Sequence, residues 1–349
     1  MQSQTNDAWA PRIWEGMDFF AWLRLFAEGR GRVDPKFWYI AGILGGTTFL
    51  NTLFGWIQQA RFGKAIDAVR IDPPPLFVLG HWRTGTTLLH ELLLLDDRHT
   101  GPSTFHCFEP CHCILSETLF RKHLKFLLPN KRPMDNMPFG WEQPQEDEFA
   151  LALLGQPSTY CEVAWPNQQR ARSVSEGSAL DLTSLTPRQL RDWKRVFARF
   201  LKTVLYLDNR DHSPQRRLVL KSPPHTARIP VLLEMFPEAK FVYLRRNPYV
   251  VYESTRNLWM SFAKKHGMQV PRTPEVIVAK VLREFRILIE RYEATKQLIP
   301  AGRLVEMRYE DLAANLVGET QRVYETLDLG DWAIERAKVE ASAAGRRGY

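Results

Sequence analysis

Between Phe37 and Ile57 the chain reads FWYIAGILGGTTFLNTLFGWI, 21 residues without a charge. As a helix this stretch measures roughly 31 Å, about the hydrocarbon thickness of a bilayer. Small and polar residues interrupt it at helical spacing, at Gly45, Thr48, Thr52, Gly55 and Gln59, with Thr47 and Asn51 beside them. The pattern therefore predicts a helix with two unlike faces. The preceding stretch, Trp14 to Phe26, carries Phe19, Phe20 and Trp22, and Arg24, Arg30, Arg32 and Lys36 interleave with or follow these aromatics. Aromatic anchors beside cations suit a headgroup interface. Three readings of residues 14–60 stay open: a segment lying on a membrane surface, a membrane span, and ordinary helices packed on a core. Met1 to Asp34 lacks the early apolar run of a secretory signal peptide.

After Pro73-Pro74-Pro75 the pattern changes to short apolar runs alternating with amphipathic stretches. Leu76–Leu79 reads as a buried strand, Gly80 to Thr87 as a glycine loop, and Leu88 to Leu95 as the helix that follows. Thr186, Pro187 and Gln189 open a long helix with a capping box, and Leu190, Trp193, Phe197, Phe200, Leu201 and Val204 form its apolar face. Arg217–Lys221 is a second strand ending in a cation, followed by Ser222-Pro223-Pro224-His225 and an apolar helix through Phe236. Lys240–Leu244 is a third strand, running into Arg245-Arg246-Asn247-Pro248 and a helix that contains Ser254. Strands alternating with helices predict an α/β fold, a three-layer sandwich with a mostly parallel central sheet flanked by helices. The chain divides into an N-terminal aromatic helical segment over residues 1–70 and an α/β domain over 71–349. In such sheets ligands bind beyond the C-terminal strand ends, where Arg83, Lys221, His225 and Arg246 fall.

Composition sharpens this picture. The 349 residues are 44% hydrophobic and 25% charged, enough for a full core and incompatible with wholesale disorder or a disulfide-stapled miniature. A net charge of +8 favours an anionic partner. Five of the 11 tryptophans (Trp9, Trp14, Trp22, Trp38 and Trp56) fall in the first 56 residues, so the N-terminal segment is built differently from the rest. Of four cysteines, Cys107, Cys111 and Cys113 crowd into one stretch, which points to a reducing compartment rather than a disulfide framework.

The glycine loop is an anion cradle. Its glycines let backbone N–H groups converge, the helix N-terminus adds partial positive charge, and Thr84, Thr86 and Thr87 offer hydroxyls. A P-loop NTPase needs Lys directly after the second glycine, whereas Gly85 is followed by Thr86 and the loop's cation is Arg83. GHWRTGTTLL at 80–89, with Arg246-Asn247-Pro248-Tyr249-Val250-Val251-Tyr252-Glu253-Ser254, resembles the two-part cofactor signature of sulfotransferases that use 3′-phosphoadenosine 5′-phosphosulfate (PAPS). VLKSPPHTARIPVLLEMFPEAKFVYLRRNP and MRYEDL at 307–312 are similar to the bacterial branch of that superfamily. The resemblance covers roughly residues 74–330 and implies a P-loop-like fold, a catalytic domain over 71–349, PAPS as co-substrate and no required metal. It implies that Gly80, His81, Trp82, Arg83, Thr84, Gly85, Thr86 and Thr87 hold the 5′-phosphosulfate and that Arg246 and Ser254 hold the 3′-phosphate. Arg83 and Lys221 suit the charge that grows during sulfuryl transfer.

Three positions compete to take the acceptor's proton. His225 lies four residues after Lys221 and could equally cap the next helix. Glu109 resembles in its placement a catalytic glutamate of tyrosine- and carbohydrate-modifying members. The third is the cluster Glu146-Asp147-Glu148, with Glu148 as its candidate base; as an ordinary feature that cluster is a solvated helix start. His106 to Cys113 lacks zinc-knuckle spacing and reads as buried free thiols. Arg346-Arg347-Gly348 is similar to a basic element that touches the 3′-phosphate and equally suits a frayed tail. Phe105, Phe108, Phe139, Trp141 and Trp165 lie where an acceptor pocket or a core could form. The expectation is an enzyme moving a sulfuryl group in line from PAPS to a hydroxyl or amine of a small, glycan or lipid-like molecule. It would be cytoplasmic, peripheral or anchored at the inner face of a membrane, without a nucleic-acid partner, and its oligomeric state stays open. Two rivals are a magnesium-dependent phosphoryl transferase on a P-loop-like core and a non-catalytic basic module for membranes or nucleic acid; strand-end cations suit a small ligand better than the latter's continuous stripe.

Overall fold

A computed structural model describes residues 12–123, 140–168 and 179–345; Trp9, Phe139, Arg346 and Arg347 lie outside the described residues. Five strands, β1 (Leu76–Gly80), β2 (His99–Thr100), β3 (Arg217–Lys221), β4 (Lys240–Arg245) and β5 (Leu304–Arg308), form one sheet in the order β2-β3-β1-β4-β5. Every pairing is parallel. The three strands expected from the sequence are all present.

Alternation along the strands divides the interior in two. Phe77 and Leu79 of β1 join Leu218, Leu220, Phe241 and Tyr243 in one cluster. Leu76 and Val78 join Val219, Val242, Leu244, Val305 and Met307 in the other. Each face then needs a helical layer. The second face is covered by the helix Thr86–Leu93, through Leu89, Leu92 and Leu93, and by later helices through Val323, Leu327 and Val339. The first face receives the long helix expected after Thr186, which spans Pro187–Asp208 with the capping box in place, together with the helices Ile229–Met235, Pro248–His266 and Pro274–Thr295.

The N-terminal segment joins that first layer. Asp18 caps the helix Phe19–Glu28, accepting from the Phe20 and Ala21 amides, and a continuous helix follows over Trp38–Ala68. Trp14, Trp22 and Leu44 are buried in the cluster that contains Phe77 and Trp82. The Trp14 indole donates to His266 O (2.7 Å), and the Trp165 indole to Leu25 O (2.9 Å). The long helix has the two unlike faces that the pattern predicts: Thr48, Asn51, Thr52 and Gln58 are buried, Gly45 and Gly55 half-buried, and Gln59 exposed. The side chain of Gln58 binds the backbone at Cys111 and Ile114.

Candidate active site

The cradle begins where β1 ends. Gly80 has φ +148°, its N–H donates to Thr226 Oγ1 (2.8 Å), and that hydroxyl donates back to Gly80 O (3.1 Å). A Cβ at Gly80 would lie 2.6 Å from Leu244 O of the neighbouring strand, so only glycine fits. Gly85, at φ +93°, precedes the first turn of the helix Thr86–Leu93, and a Cβ there would collide with the Tyr309 ring. Arg83 is also left-handed, φ +69°, a conformation that costs a non-glycine residue energy and marks a tightly held loop.

Side chains of the loop divide into two sets. His81, Trp82 and Thr84 turn inward and are buried, so they can offer a phosphate only their backbone, a narrower part than the resemblance implied. Thr84 Oγ1 donates to His81 O (2.7 Å), and burial pulls His81 down to about 4, neutral at physiological pH. Arg83 goes the other way: its Nε donates to Ser254 Oγ (2.8 Å), and Arg246 Nη1 donates to Arg83 O (3.1 Å). Arg83, Arg246 and Ser254 therefore stand together. The Arg246 guanidinium lies 4.0 Å from the centroid of the Tyr309 ring, the same ring that abuts Gly85. Glu310 Oε1 accepts from Asn247 N (3.2 Å), and Asn247 Oδ1 caps Tyr249 N (3.0 Å). MRYEDL thus braces the corner that aims Arg246. Its similarity was visible in the sequence, but its task was not.

Lys221, at the end of β3, belongs to a second group. Its Nζ donates to Glu146 Oε1 (2.6 Å), the Tyr160 hydroxyl donates to Glu146 Oε2, and the Trp82 indole donates to Tyr160 (2.9 Å). This chain ties the glycine loop to the strand-end lysine. Tyr160 carries no sequence signal of its own; only its stacking on Phe149 (4.6 Å) and the fold bring it here.

The acidic cluster is not a solvated helix start. Asp147 and Glu148 are fully buried, and the three carboxylates pair in order with three basic side chains. Glu146 takes Lys221; Asp147 takes His225 Nε2 (2.7 Å) and the Ser222 hydroxyl (3.0 Å); Glu148 takes Arg228 through two bonds (2.6 and 3.1 Å). The segment 221–228, from the end of β3 through the turn Pro223–Ala227, presents these side chains in register with the opening of the helix Asp147–Leu153, and pairing explains the burial. Burial would raise the Asp147 carboxyl, but His225 and its hydrogen bonds outweigh that and hold it below the usual carboxylate range. His225 lies between the rings of Phe77 and Phe197, 5.3 and 5.4 Å away, and its side chain is wholly buried. Neither His225 nor Glu148 can meet an acceptor in this arrangement. Lone-histidine reasoning missed this because the partner, Asp147, lies 78 residues away in the chain.

Glu109 ends the short helix Thr104–Phe108 and sits apart from Lys221, 3.6 Å from His112 Nε2. Burial, with repulsion from Glu15, pushes its carboxyl up to about 8. His112 Nε2 in turn lies 3.0 Å from Asn51 Oδ1 of the long N-terminal helix. Cys107, Cys111, Cys113 and Cys161 are free thiols, and burial raises Cys113 to about 12. Phe105, Trp141 and Trp165 are core residues.

Residues 74–333 match the sequence profile described as the sulfotransferase family. Over 341 residues the chain is 40% identical to omega-hydroxy-beta-dihydromenaquinone-9 sulfotransferase Stf3 of Mycobacterium bovis, covering 98% of this chain and 85% of that protein. The Mycobacterium tuberculosis protein of the same name matches equally. Among solved structures, sulfotransferase STF9 from Mycobacterium avium superposes with a TM-score of 0.64 at 19% identity, over 95% of this chain and 88% of that one. Sulfotransferase STF1 from Mycobacterium tuberculosis gives 0.58 at 20% identity, over 92% and 87%. At that identity the two superpositions speak to the fold.

Proposed function

The chain belongs to the sulfotransferase family, and from that premise we propose that it moves a sulfuryl group from PAPS to the hydroxyl of a small, lipid-like acceptor. The observation that carries this reading is the convergence of Arg83, Arg246 and Ser254 beside the Gly80–Thr87 cradle. Two guanidiniums, a hydroxyl and a helix N-terminus make a site for an anion with more than one phosphate. A phosphoryl transferase is disfavoured by the absence of the P-loop lysine after Gly85.

The chain's own residues divide the work. Backbone amides of the loop, with the Thr87 hydroxyl, would bind the 5′ end. Arg246 and Ser254 would hold the 3′-phosphate, and Arg83, bonded to Ser254, would link the two ends. Lys221 would offset charge growing on the departing oxygen. As the acceptor oxygen bonds to sulfur, the bond from sulfur to the phosphate oxygen breaks and the electron pair leaves with the phosphate. The acceptor's proton goes to Glu146, the carboxylate of the buried row that touches Lys221 and keeps a partly exposed side chain. Glu109 is the second reading, favoured by a proton affinity near neutrality. His225 is a positioning residue that fixes Asp147.

The lipid-like acceptor is suggested by the Stf3 relatives, whose name specifies a hydroxylated menaquinone. An acceptor of that kind resides in a bilayer, so the reading includes work at the inner face of a membrane, in a reducing cytoplasm that suits four free thiols. The test is thermal shift with 3′-phosphoadenosine 5′-phosphate (PAP) against ATP in EDTA. PAP should stabilise the protein and ATP should not. Arg83→Ala should lose most of that stabilisation together with sulfate transfer; an undiminished response would remove Arg83 from the site.

A further inference from the structure

The N-terminal helices pack one face on the core and leave a second apolar face exposed. In the helix Trp38–Ala68 the inward face packs Ile40, Leu44 and Ile66 and also carries a run of polar groups, which are satisfied. Asn51 Nδ2 donates to Glu15 O (2.6 Å) and Met17 O (3.2 Å), Thr52 Oγ1 donates to Asp18 Oδ2 (2.9 Å), and Thr48 Oγ1 donates to Leu44 O (2.5 Å). Gln58 donates to Cys111 O (3.3 Å) and accepts from Ile114 N (2.8 Å). On the outer face Trp38, Ile43, Phe49, Leu53 and Trp56 stand 40 to 60% exposed. The helix Phe19–Glu28 continues that surface with Phe20, and the two helices meet where Phe19 packs on Phe49 (5.8 Å) and Phe26 on Trp38 (6.0 Å). Exposed cations bracket it: Lys36 before the apolar run, Arg61 and Lys64 after it, and Arg24 on the neighbouring helix. Lys64 lies two turns beyond Ile57 and Arg61 three turns beyond Leu50, so both extend the same outer face.

We propose that this face docks flat on an anionic lipid bilayer, with the long helix lying in the boundary between headgroups and acyl chains and not crossing it. A continuous apolar surface of this extent marks an interaction site. A span is disfavoured by the inward seam, because turning the helix across a bilayer would carry Asn51, Thr52 and Gln58 away from their partners into hydrocarbon. A second copy of the chain is disfavoured by charge: a two-fold pair would bring the bracketing cations against one another, whereas anionic headgroups complement them. Behind this face, Asn51 and Gln58 reach the His112 and Cys111 corner beside Glu109, the second candidate for the acceptor's base. The choice of a bilayer as partner draws on the lipid-like acceptor proposed above; the face itself does not.

The full chain should be floated with vesicles of phosphatidylcholine alone and of phosphatidylcholine with phosphatidylglycerol. It is expected to rise with the anionic vesicles and to be released as salt screens the attraction. Ile43→Glu with Trp56→Glu should lower the bound fraction roughly tenfold or more. Arg61→Glu with Lys64→Glu, which leaves the apolar face intact, should lower it by roughly tenfold. Both variants should still be stabilised by PAP, which reads folding separately from docking. Wild-type protein left at the bottom of the gradient, or variants that float unchanged, would overturn the proposal. So would a wild-type dimer in light scattering that Ile43→Glu with Trp56→Glu makes monomeric, since the face would then belong to a second copy. Flotation without PAP stabilisation would sink the sulfotransferase reading and leave docking standing; PAP stabilisation without flotation would do the reverse.

Discussion

At the scale of single residues, two carboxylates with different surroundings can be told apart by pH. Glu146 touches Lys221 and Tyr160, and removing a positioned base should lower kcat by about 10²- to 10⁴-fold. Glu146→Gln is therefore expected to lose activity on that scale with PAP binding kept. Glu109 has its folded value raised to about 8, above an ordinary value of 4.5. Its penalty is absent below the unfolded value, and stability is lost as pH rises from there through about 8. Glu109→Gln should consequently melt above the wild type at pH 8 and alongside it near pH 4.5. If Glu109 is the base, the wild-type rate keeps climbing through pH 8 and Glu109→Gln abolishes that limb, which would displace Glu146 from the role. The cradle, Arg246, Ser254 and Lys221 were legible in the sequence because each is a local motif at a strand end. The carboxylate pairing was not, since Glu146, Asp147 and Glu148 meet partners 75 to 80 residues away and a charge triplet looks solvated until its partners are known.

At the scale of elements, the start of the helix Asp147–Leu153 is fastened to the segment 221–228 by a row of hydrogen-bonded carboxylates rather than by apolar contact alone. The innermost pair is the most consequential. Arg228 and Glu148 are both fully buried, and Arg228 also donates to Leu180 O (2.9 Å) and Ala179 O (3.0 Å). Breaking a buried pair from one side leaves an uncompensated charge, at a cost of about 3–5 kcal/mol. Arg228→Met should lower stability by that amount in chemical denaturation. Adding Glu148→Gln should recover part of the loss, a coupling that independent contributions would not produce. The strands themselves were readable from short apolar runs between glycine and proline, and the capping box located the helix Pro187–Asp208. The separation of strand residues into two cores also follows from simple alternation, with Phe77 and Leu79 on one side and Leu76 and Val78 on the other. β2, at two residues, is too short to leave such a pattern.

At the scale of the whole molecule, the change of composition near residue 70 invites cutting the chain there, and the packing bears on what such a cut would do. Trp14, Met17, Trp22, Leu25 and Leu44 are buried in the same cluster as Phe77, Trp82 and Phe149. Each fully buried side chain of this size contributes about 1.5–3 kcal/mol, so the five together rival the roughly 5–15 kcal/mol that holds a whole domain folded. The indoles of Trp14 and Trp165 also exchange hydrogen bonds across the boundary, and removing residues 1–70 would leave Trp165 Nε1 and His266 O without those partners. Residues 71–349 expressed alone are therefore expected to aggregate or to melt without a cooperative transition, even with PAP. Substitutions on the outer face of the long helix should leave the transition intact. The contrast separates two roles that one apolar segment combines: its inward residues complete the core on which Trp82 and the cradle rest, and its outward residues are free to meet a bilayer. A soluble, cooperatively folding, PAP-binding fragment 71–349 would show instead that the N-terminal helices are an appendage.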